Sequence, residues 1–270
     1  MKHKWLLIAA IIVVASTCLL LHACNNRLQV TEYYIEDKKV QNPIKLAIVA
    51  DLHASQYGDD MHVLIDAINA GEPDVILLCG DIFDTKFNND NVWTFLSNIS
   101  SIYPCYFVSG NHEIYDGEWE TQKQNLHQLG IITLSGTSQT LTVGESAINI
   151  YGIDDIAHED YQEQLDNVKS EMDSNEYNIL LSHRPHLIEQ HASSGADLVI
   201  SGHAHGGQWR IPLFANEGLY APSQGILPQY TAGIHTFDNW QLLVSRGLDK
   251  QSVSYPRVFN RPELIFLTIQ

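Results

Sequence analysis

From residue 44 onward, apolar and polar positions follow a repeating order. Residues 44–50 form a nearly continuous apolar run of strand length, the pattern of a strand covered on both faces. It gives way at once to Asp51-Leu52-His53. Residues 61–70 have helical spacing and are closed by Gly71 and Pro73. A second buried strand, 74–79, ends in Gly80-Asp81-Ile82-Phe83-Asp84, and residues 91–99 predict a second helix. A third strand, 105–108, ends in Gly110-Asn111-His112-Glu113 and is followed by a helix over 118–129. The first half therefore predicts strand–helix three times, with polar residues at the C-terminal end of each strand. That edge is where open α/β sheets hold ligands.

The pattern then changes. Residues 140–143 and 147–153 read as meander strands, 161–172 as a helix, and 179–181 as a strand ending in Ser182-His183-Arg184-Pro185. The apolar run 198–200 ends in Ser201-Gly202-His203-Ala204-His205-Gly206-Gly207-Gln208, two imidazoles boxed by glycines that let backbone pass close to a metal or phosphate. Residues 240–244 and 264–269 predict late strands. No internal repeat, low-complexity tract or second domain boundary interrupts residues 44–270, which we read as one domain preceded by a tether and first strand over 25–43.

The first 24 residues are different in kind. Residues 5–24 carry no formal charge, and Lys2 and Lys4 precede them. Twenty such residues are long enough to span a bilayer. The flanking lysines favour an N-inside orientation, with the domain outside the cytoplasm. Three forms fit: a retained signal anchor, a lipoprotein signal cut before Cys24 (Leu21-His22-Ala23-Cys24), and a cleaved secretory signal.

Composition narrows the picture. Hydrophobic residues make up 44% and charged residues 17%, as in ordinary globular proteins. A formal charge of −17 argues against a nucleic-acid-binding surface, which needs a basic face. It leaves a phosphate substrate open, because bound divalent cations reverse the local sign. Of four cysteines, Cys18 and Cys24 fall in the membrane segment, while Cys79 and Cys105 sit in strand-like runs as small core residues. Their spacing is neither a disulfide framework nor a zinc knuckle.

The polar residues at strand ends are Asp51, His53, Asp81, Asn111, His112, His183, His203 and His205. Mixed nitrogen and oxygen ligands suit manganese, iron or zinc better than calcium. Taken singly, Asp51 or Asp81 fits a helix cap, and His183 fits a satisfied core histidine. Their joint placement at strand ends does not fit those roles. The set exceeds what one metal needs, and two metals sharing a bridging carboxylate clamp both oxygens of a phosphoryl transfer.

In order and spacing, Asp51-x-His53, Gly80-Asp81-x-x-Asp84, Gly110-Asn111-His112-Glu113, His183 and Gly202-His203-x-His205 resemble the calcineurin-like metallophosphoesterase family. Gly202 to Gln208, Tyr220-Ala221-Pro222, Tyr230-Thr231-Ala232-Gly233, Val244-Ser245-Arg246-Gly247-Leu248 and Arg261-Pro262-Glu263 resemble its membrane-linked or exported bacterial branch. Ala204 replaces a common threonine and Asp249 a usual glycine, with neither expected to touch a ligand. The resemblance implies an α/β fold, a four-layer α/β/β/α sandwich with two packed mixed sheets. It implies two divalent transition metals, manganese, iron or zinc. Asp51, His53, Asp81 and His205 would hold the first, and Asp81, Asn111, His183 and His203 the second, with Asp81 bridging. His112 would face the scissile phosphate without ligating, as general acid or charge stabiliser. Glu113 is expected either to orient His112 or to lie on the surface.

The activity so implied is hydrolysis of a phosphoester bond, and the tether favours a phosphodiester or pyrophosphate. A tethered domain favours a lipid-linked or envelope substrate at the cell membrane. Cleavage of a nucleotide-linked acyl-sugar pyrophosphate would instead require the cytoplasmic face. A non-catalytic interaction scaffold of the same fold is the rival from another class, and the complete ligand set argues against it. His158-Glu159 lacks the second histidine of a zinc-protease motif, since Gln162 stands there. His62, His127, His186, His191 and His235 are expected on helix surfaces or in loops. Asp154-Asp155 is expected in a turn, and Arg184 in a surface ion pair.

Overall fold

The structure, a computed structural model, describes residues 2–250 and 256–270. Among the described residues, fourteen strands and seven α-helices follow in order. The first helix, α1 (Lys2–Ala23), is exposed along most of its length, and over residues 4–23 it is long and apolar enough to cross a membrane. It is apolar all round, as a helix in lipid would be and a surface helix of a globular domain would not.

Two six-stranded sheets form the rest. The first has β1 (Gln29–Ile35), β14 (Glu263–Ile269), β2 (Ile44–Val49), β3 (Val75–Cys79), β4 (Cys105–Val108) and β5 (Ile132–Thr133), side by side in that order. The pairs β2–β3, β3–β4 and β4–β5 are parallel, while β14 runs antiparallel to β2 and parallel to β1. The second has β12 (Gly233–Thr236), β13 (Gln241–Val244), β9 (Leu198–Ser201), β8 (Tyr177–Leu181), β7 (Ser146–Gly152) and β6 (Thr137–Val143). Its central pairs are parallel and its two outer pairs antiparallel. Both sheets are mixed, as expected.

Strand alternation builds three cores from these two sheets. In β2, Leu46 and Ile48 point into the space between the sheets and meet residues such as Ile150, Ile179 and Ile200. Their neighbours Ala47 and Val49 point outward, beneath helices. The period of two thus makes each central strand apolar throughout, because both its faces are covered.

The outer face of the first sheet is covered by α2 (His62–Gly71), α3 (Asp90–Ser100) and α5 (Trp119–Gln128). Helix α3 buries Val92, Phe95, Leu96 and Ile99, one stripe at helical spacing. Removing Phe95 from that stripe to alanine would cost ~3–5 kcal/mol. On the second sheet, α6 (Tyr161–Glu171) buries Tyr161, Leu165 and Val168 against Leu180, Val199 and Leu242. Helix, sheet, sheet and helix make four layers.

Three local features depart from the sequence pattern. Met61 lies in a short 3₁₀ turn, Asp59–Met61, ahead of α2 rather than within it. Asn111 opens a short helix, α4 (Asn111–Asp116), because the Glu113 side chain accepts the Gly110 N–H at 2.7 Å and folds the chain back there. Between β9 and β12 runs a long excursion with a small hairpin, β10 (Tyr220–Ala221) and β11 (Gly225–Ile226). The remaining helix, α7 (Ile188–Ala192), bridges β8 and β9.

Candidate metal centre

The loops after β2, β3, β4, β8 and β9 converge on one point, where both sheets present their C-terminal edges. Asp51 and His53 follow β2, Asp81 follows β3, and Asn111 opens α4 after β4. His183 follows β8, and His203 and His205 follow β9. All seven side chains are buried. Holding them inward bends the backbone. Asp51, His53, Asp81, His203 and His205 have φ between 45° and 65°, the left-handed region that non-glycine residues rarely enter. Each such residue costs on the order of 1–3 kcal/mol, and such strain clusters at functional sites.

Glycines make the approach possible. A Cβ on Gly110 would lie 2.2 Å from Asp81 Oδ1 and 2.5 Å from the Asp81 amide. One on Gly202 would lie 2.6 Å from Asp51 Oδ2. The close packing is used: His203 N–H donates to both Asp51 oxygens at 2.8 and 3.0 Å, and His112 N–H to Asp81 Oδ1 at 2.8 Å.

Asp81 sits at the middle. Its Oδ2 is 3.1 Å from His183 Nε2 and 3.6 Å from His53 Nε2. Asp51 Oδ1 is 4.0 Å from His183 Nε2 and 3.9 Å from His205 Nε2. Ligand atoms group into Asp51–His53–His205 and Asp81–His183–His203, each set within 4.8 Å. A third set, His53–Asp81–His112, overlaps both.

The electrostatics are those of a centre that recruits positive charge. Among the described residues no lysine or arginine pairs with Asp51 or Asp81. Burial opposes charge on Asp81, but His183 above all holds its carboxyl well below the usual range. Burial pushes Asp51 up to about 6, against the pull of His183. Burial also disfavours charge on His53 and His183, yet the surrounding carboxylates outweigh it and lift them to about 9 and about 10. Asp84 leads for His53 and Asp81 for His183. His203 and His205, pushed down by burial to about 2 and about 3, are neutral, the form that ligates metal.

Divalent cations fit this set. The clearest sign is the buried Asn111 Oδ1, which accepts no hydrogen bond among the described residues. A buried acceptor left so costs ~1–3 kcal/mol, and a cation would satisfy it. The donors are carboxylate, imidazole and amide oxygen, the mix that suits manganese, iron or zinc.

His112 lies at the mouth of the centre and is less buried than the other seven. Its ring meets His53 edge-on at 4.4 Å between centroids, and its Nδ1 is 3.4 Å from Asp84 Oδ2. Burial, partly offset by Asp81, holds its pKa below the ordinary histidine value.

Several residues behave otherwise than expected. Glu113 neither orients His112 nor lies at the surface. It is fully buried, and its two oxygens accept N–H from Asp81, Ile82, Phe83 and Gly110 at 2.7–3.0 Å. It shapes the backbone that carries Asp81. The carboxylate beside the His112 ring is Asp84, hydrogen-bonded to His53 Nδ1 at 3.0 Å and 3.4 Å from His112 Nδ1. Its position three residues after Asp81 was the signal. Asp249 does face an inferred ligand: its Oδ2 is 3.6 Å from His205 Nδ1. The Cys79 carbonyl lies 2.8 Å from His183 Nδ1, a contact no side-chain motif reveals.

Asp154 and Asp155 lie in the loop that follows β7, and both are buried. Asp155 accepts a two-pronged bond from Arg184, at 2.6 and 2.8 Å. Arg184 also reaches Ser223 Oγ, which lies 3.1 Å from His203 Nε2. His191 is not a surface residue: it is buried in α7, with Nε2 3.1 Å from Ser182 Oγ.

Comparison with known proteins agrees with this geometry. A family model described as calcineurin-like phosphoesterase matches residues 44–207. An uncharacterized metallophosphoesterase of Campylobacter jejuni is 28% identical over 269 residues, 96% of this chain and 68% of that one. A phosphodiesterase of Escherichia coli is 28% identical, covering 84% of this chain and 82% of its own. Among solved structures, a Thermus thermophilus protein superposes with a TM-score of 0.53 at 10% identity, over 77% of this chain and 92% of that one. The phosphopantetheinyl hydrolase of Mycobacterium tuberculosis gives a TM-score of 0.50 at 12% identity, over 79% and 94%. At those identities the likeness is one of fold.

Proposed function

The chain belongs to the calcineurin-like phosphoesterase family and is therefore a metallophosphoesterase, a hydrolase of phosphoric esters; from that premise we propose its metal centre, its catalytic histidine and its substrate class. Two divalent transition metals, manganese, iron or zinc, are held by residues 44–270. Asp51, His53, Asp81 and His205 form one set. Asp81, Asn111, His183 and His203 form the other. The observation that carries this reading is Asp81 Oδ2, placed between His183 Nε2 at 3.1 Å and His53 Nε2 at 3.6 Å. A single carboxylate there can serve both sets.

Bound divalent ions at such a site supply Lewis-acid polarisation of the phosphoryl group and an acidified attacking water. The chain's own residues do the rest. Asp84 Oδ2 lies 3.4 Å from His112 Nδ1, which leaves Nε2 as the nitrogen for a substrate. Protonated there, His112 donates to the departing oxygen or to a charged phosphoryl oxygen. Burial of the surrounding groups strengthens each of these interactions.

The substrate class is a phosphodiester or pyrophosphate of a lipid-linked or envelope molecule, reached by a domain tethered through residues 1–24. Support comes from the exposed apolar α1 and from Lys2 and Lys4 ahead of its uncharged run. A reporter fused after Arg27 should be active only in its exported form. Activity only in the cytoplasm would reverse the orientation and favour a nucleotide-linked acyl-sugar pyrophosphate. Mass spectrometry of the N-terminus separates anchor from lipoprotein, which would begin with a diacylated Cys24.

The metal assignment is tested by elemental analysis. The purified protein should carry close to two transition metals, as its two ligand sets imply, and Asp81→Ala should lose both. An unaltered metal load in Asp81→Ala would sink the shared carboxylate. Metal-reconstituted protein offered phosphomonoesters, phosphodiesters and pyrophosphates would show which bond it cleaves.

A further inference from the structure

The excursion between β9 and β12 is built unlike the rest of the surface. Leu213, Phe214, Ile226 and Leu227 are 89%, 88%, 80% and 67% exposed, and Trp209 and Tyr220 are about half so. Large side chains this open, clustered on one loop, mark an interaction face. Over residues 209–232 the only formally charged side chains are Arg210 and Glu217, in a chain of net charge −17. The loop also carries an apolar cavity of about 220 Å³, lined by Gln208, Trp209, Leu219 and Tyr220.

Its position says what covers it. Helix α1 ends against Phe259, whose N–H donates to the Ala23 carbonyl at 2.7 Å and whose ring is 6.0 Å from that of His22. The neighbouring residue, Val258, bridges Trp209 and accepts the Arg210 N–H at 2.8 Å. One residue therefore separates the end of the membrane segment from the root of the apolar loop. The same loop is built onto the metal centre. Leu219 N–H donates to the Gly207 carbonyl, and Ser223 Oγ meets His203 Nε2.

We infer that residues 209–227 are a bilayer-docking surface: Leu213, Phe214, Ile226 and Leu227 enter the lipid interface of the membrane that holds α1, and seat the mouth of the metal centre against it. The inference rests on residues 1–24 staying at the membrane and on the phosphoesterase reading of the centre. The occupant is lipid rather than a basic partner, because the face offers almost no charge. A domain this acidic gains nothing from anionic head groups, so docking is apolar and insensitive to salt. A phosphoester head group at the interface would then reach His112 without leaving the bilayer.

The test uses the full chain in phosphatidylcholine–phosphatidylglycerol nanodiscs. An environment-sensitive dye is attached through Phe214→Cys in a Cys18→Ser, Cys24→Ser background, since Cys79 and Cys105 are buried. Quenching by doxyl groups on the upper acyl chain, with protection from aqueous iodide, is expected at all salt concentrations. Iodide quenching alone would overturn the inference. Protection from both quenchers would also overturn it, in favour of a second copy or a protein partner. Added Leu213→Glu and Ile226→Glu changes should abolish doxyl quenching while α1 keeps the chain in the disc. Both side chains are exposed, so the fold should survive, and hydrolysis of the soluble diester bis-p-nitrophenyl phosphate should be unchanged. If the unmodified chain fails to cleave that or any other phosphoester, the functional reading falls while the depth measurement still stands.

Discussion

His112 is the residue at which chemistry and metal binding can be separated. It touches the cluster without completing either set of buried ligands, and Asp84 lies 3.4 Å from its Nδ1. His112→Asn should keep the metals, by elemental analysis, and lower kcat by ~10²–10⁴-fold for alkoxide leaving groups. The loss should shrink for a nitrophenolate, which needs little protonation. An equal loss for both would mean that His112 stabilises phosphoryl charge instead, and loss of metals would end its separate role. Glu113 answers to a different logic. Each of its oxygens accepts two backbone N–H groups. Glu113→Gln sets an amide NH₂ against two of those donors, leaving them unsatisfied at ~1–3 kcal/mol each. A denaturant midpoint unchanged by Glu113→Gln would contradict that account.

His191 gives the pH dependence of a single group. Burial, with His186 nearby, pushes it down to about 3, and the unfolded chain restores it to about 6.5. Between those values the unfolded state binds the proton and the folded state does not. Its contribution to stability is therefore fully present above pH 6.5 and is lost as pH falls toward 3, by at most about 1.4 kcal/mol per pH unit. Urea unfolding at pH 7 and pH 5 should show a smaller acid loss in His191→Gln than in the unaltered chain.

Elements matter here chiefly at their ends. The strands are ordinary buried β-structure, but the turns after β2, β3 and β9 are held in left-handed conformations by contacts between turns. The Asp51 carboxylate grips the His203 amide, and Asp81 grips the His112 amide. One element's backbone is thus set by another's side chain. Gly110→Ala attacks that arrangement directly, because its Cβ would meet Asp81 backbone as well as side chain. Overpacking of this kind costs ~1–3 kcal/mol. The expected outcome is a folded protein, by circular dichroism, with a lowered melting temperature and a reduced metal load. Full metal occupancy in Gly110→Ala would show that the loops after β3 and β4 tolerate displacement.

At the scale of the whole molecule, the centre joins two sheets. Asp51, His53, Asp81 and Asn111 come from the first sheet, and His183, His203 and His205 from the second. Without a cation, buried like charges and an unsatisfied amide oxygen meet at that seam. Binding to the folded state alone stabilises it by RT ln(1 + [L]/Kd), ~4 kcal/mol at a thousandfold excess over Kd. Chelation should therefore lower the melting temperature and raise hydrogen exchange at the ends of β8 and β9 more than at the far ends of the same strands. A chelated protein that melts at the same temperature would show that packing between the sheets alone sets the seam.

The order of strands and helices was legible in residues 44–270 because each element carries its own period. Continuous apolar runs mark strands buried on both faces, and stripes such as Val92–Phe95–Leu96–Ile99 mark helices lying on them. The inferred ligands were legible for a related reason: a strand that turns abruptly from Ile, Val and Leu to Asp, His and glycine has reached an edge. What the sequence could not settle is which edges face each other, since that depends on two sheets packing over non-local contacts. Only the fold brings the turn after β9 against Asp51, or turns Glu113 inward to four backbone amides. Only the fold shows Asp84 rather than Glu113 beside His112, Asp249 beside His205, and His191 buried. The excursion over 209–232 carried no period at all, and its place beside the end of α1 comes from Val258 and Phe259, remote in sequence. Local pattern determines elements because burial acts residue by residue; the site depends on contacts between elements, which no local pattern encodes.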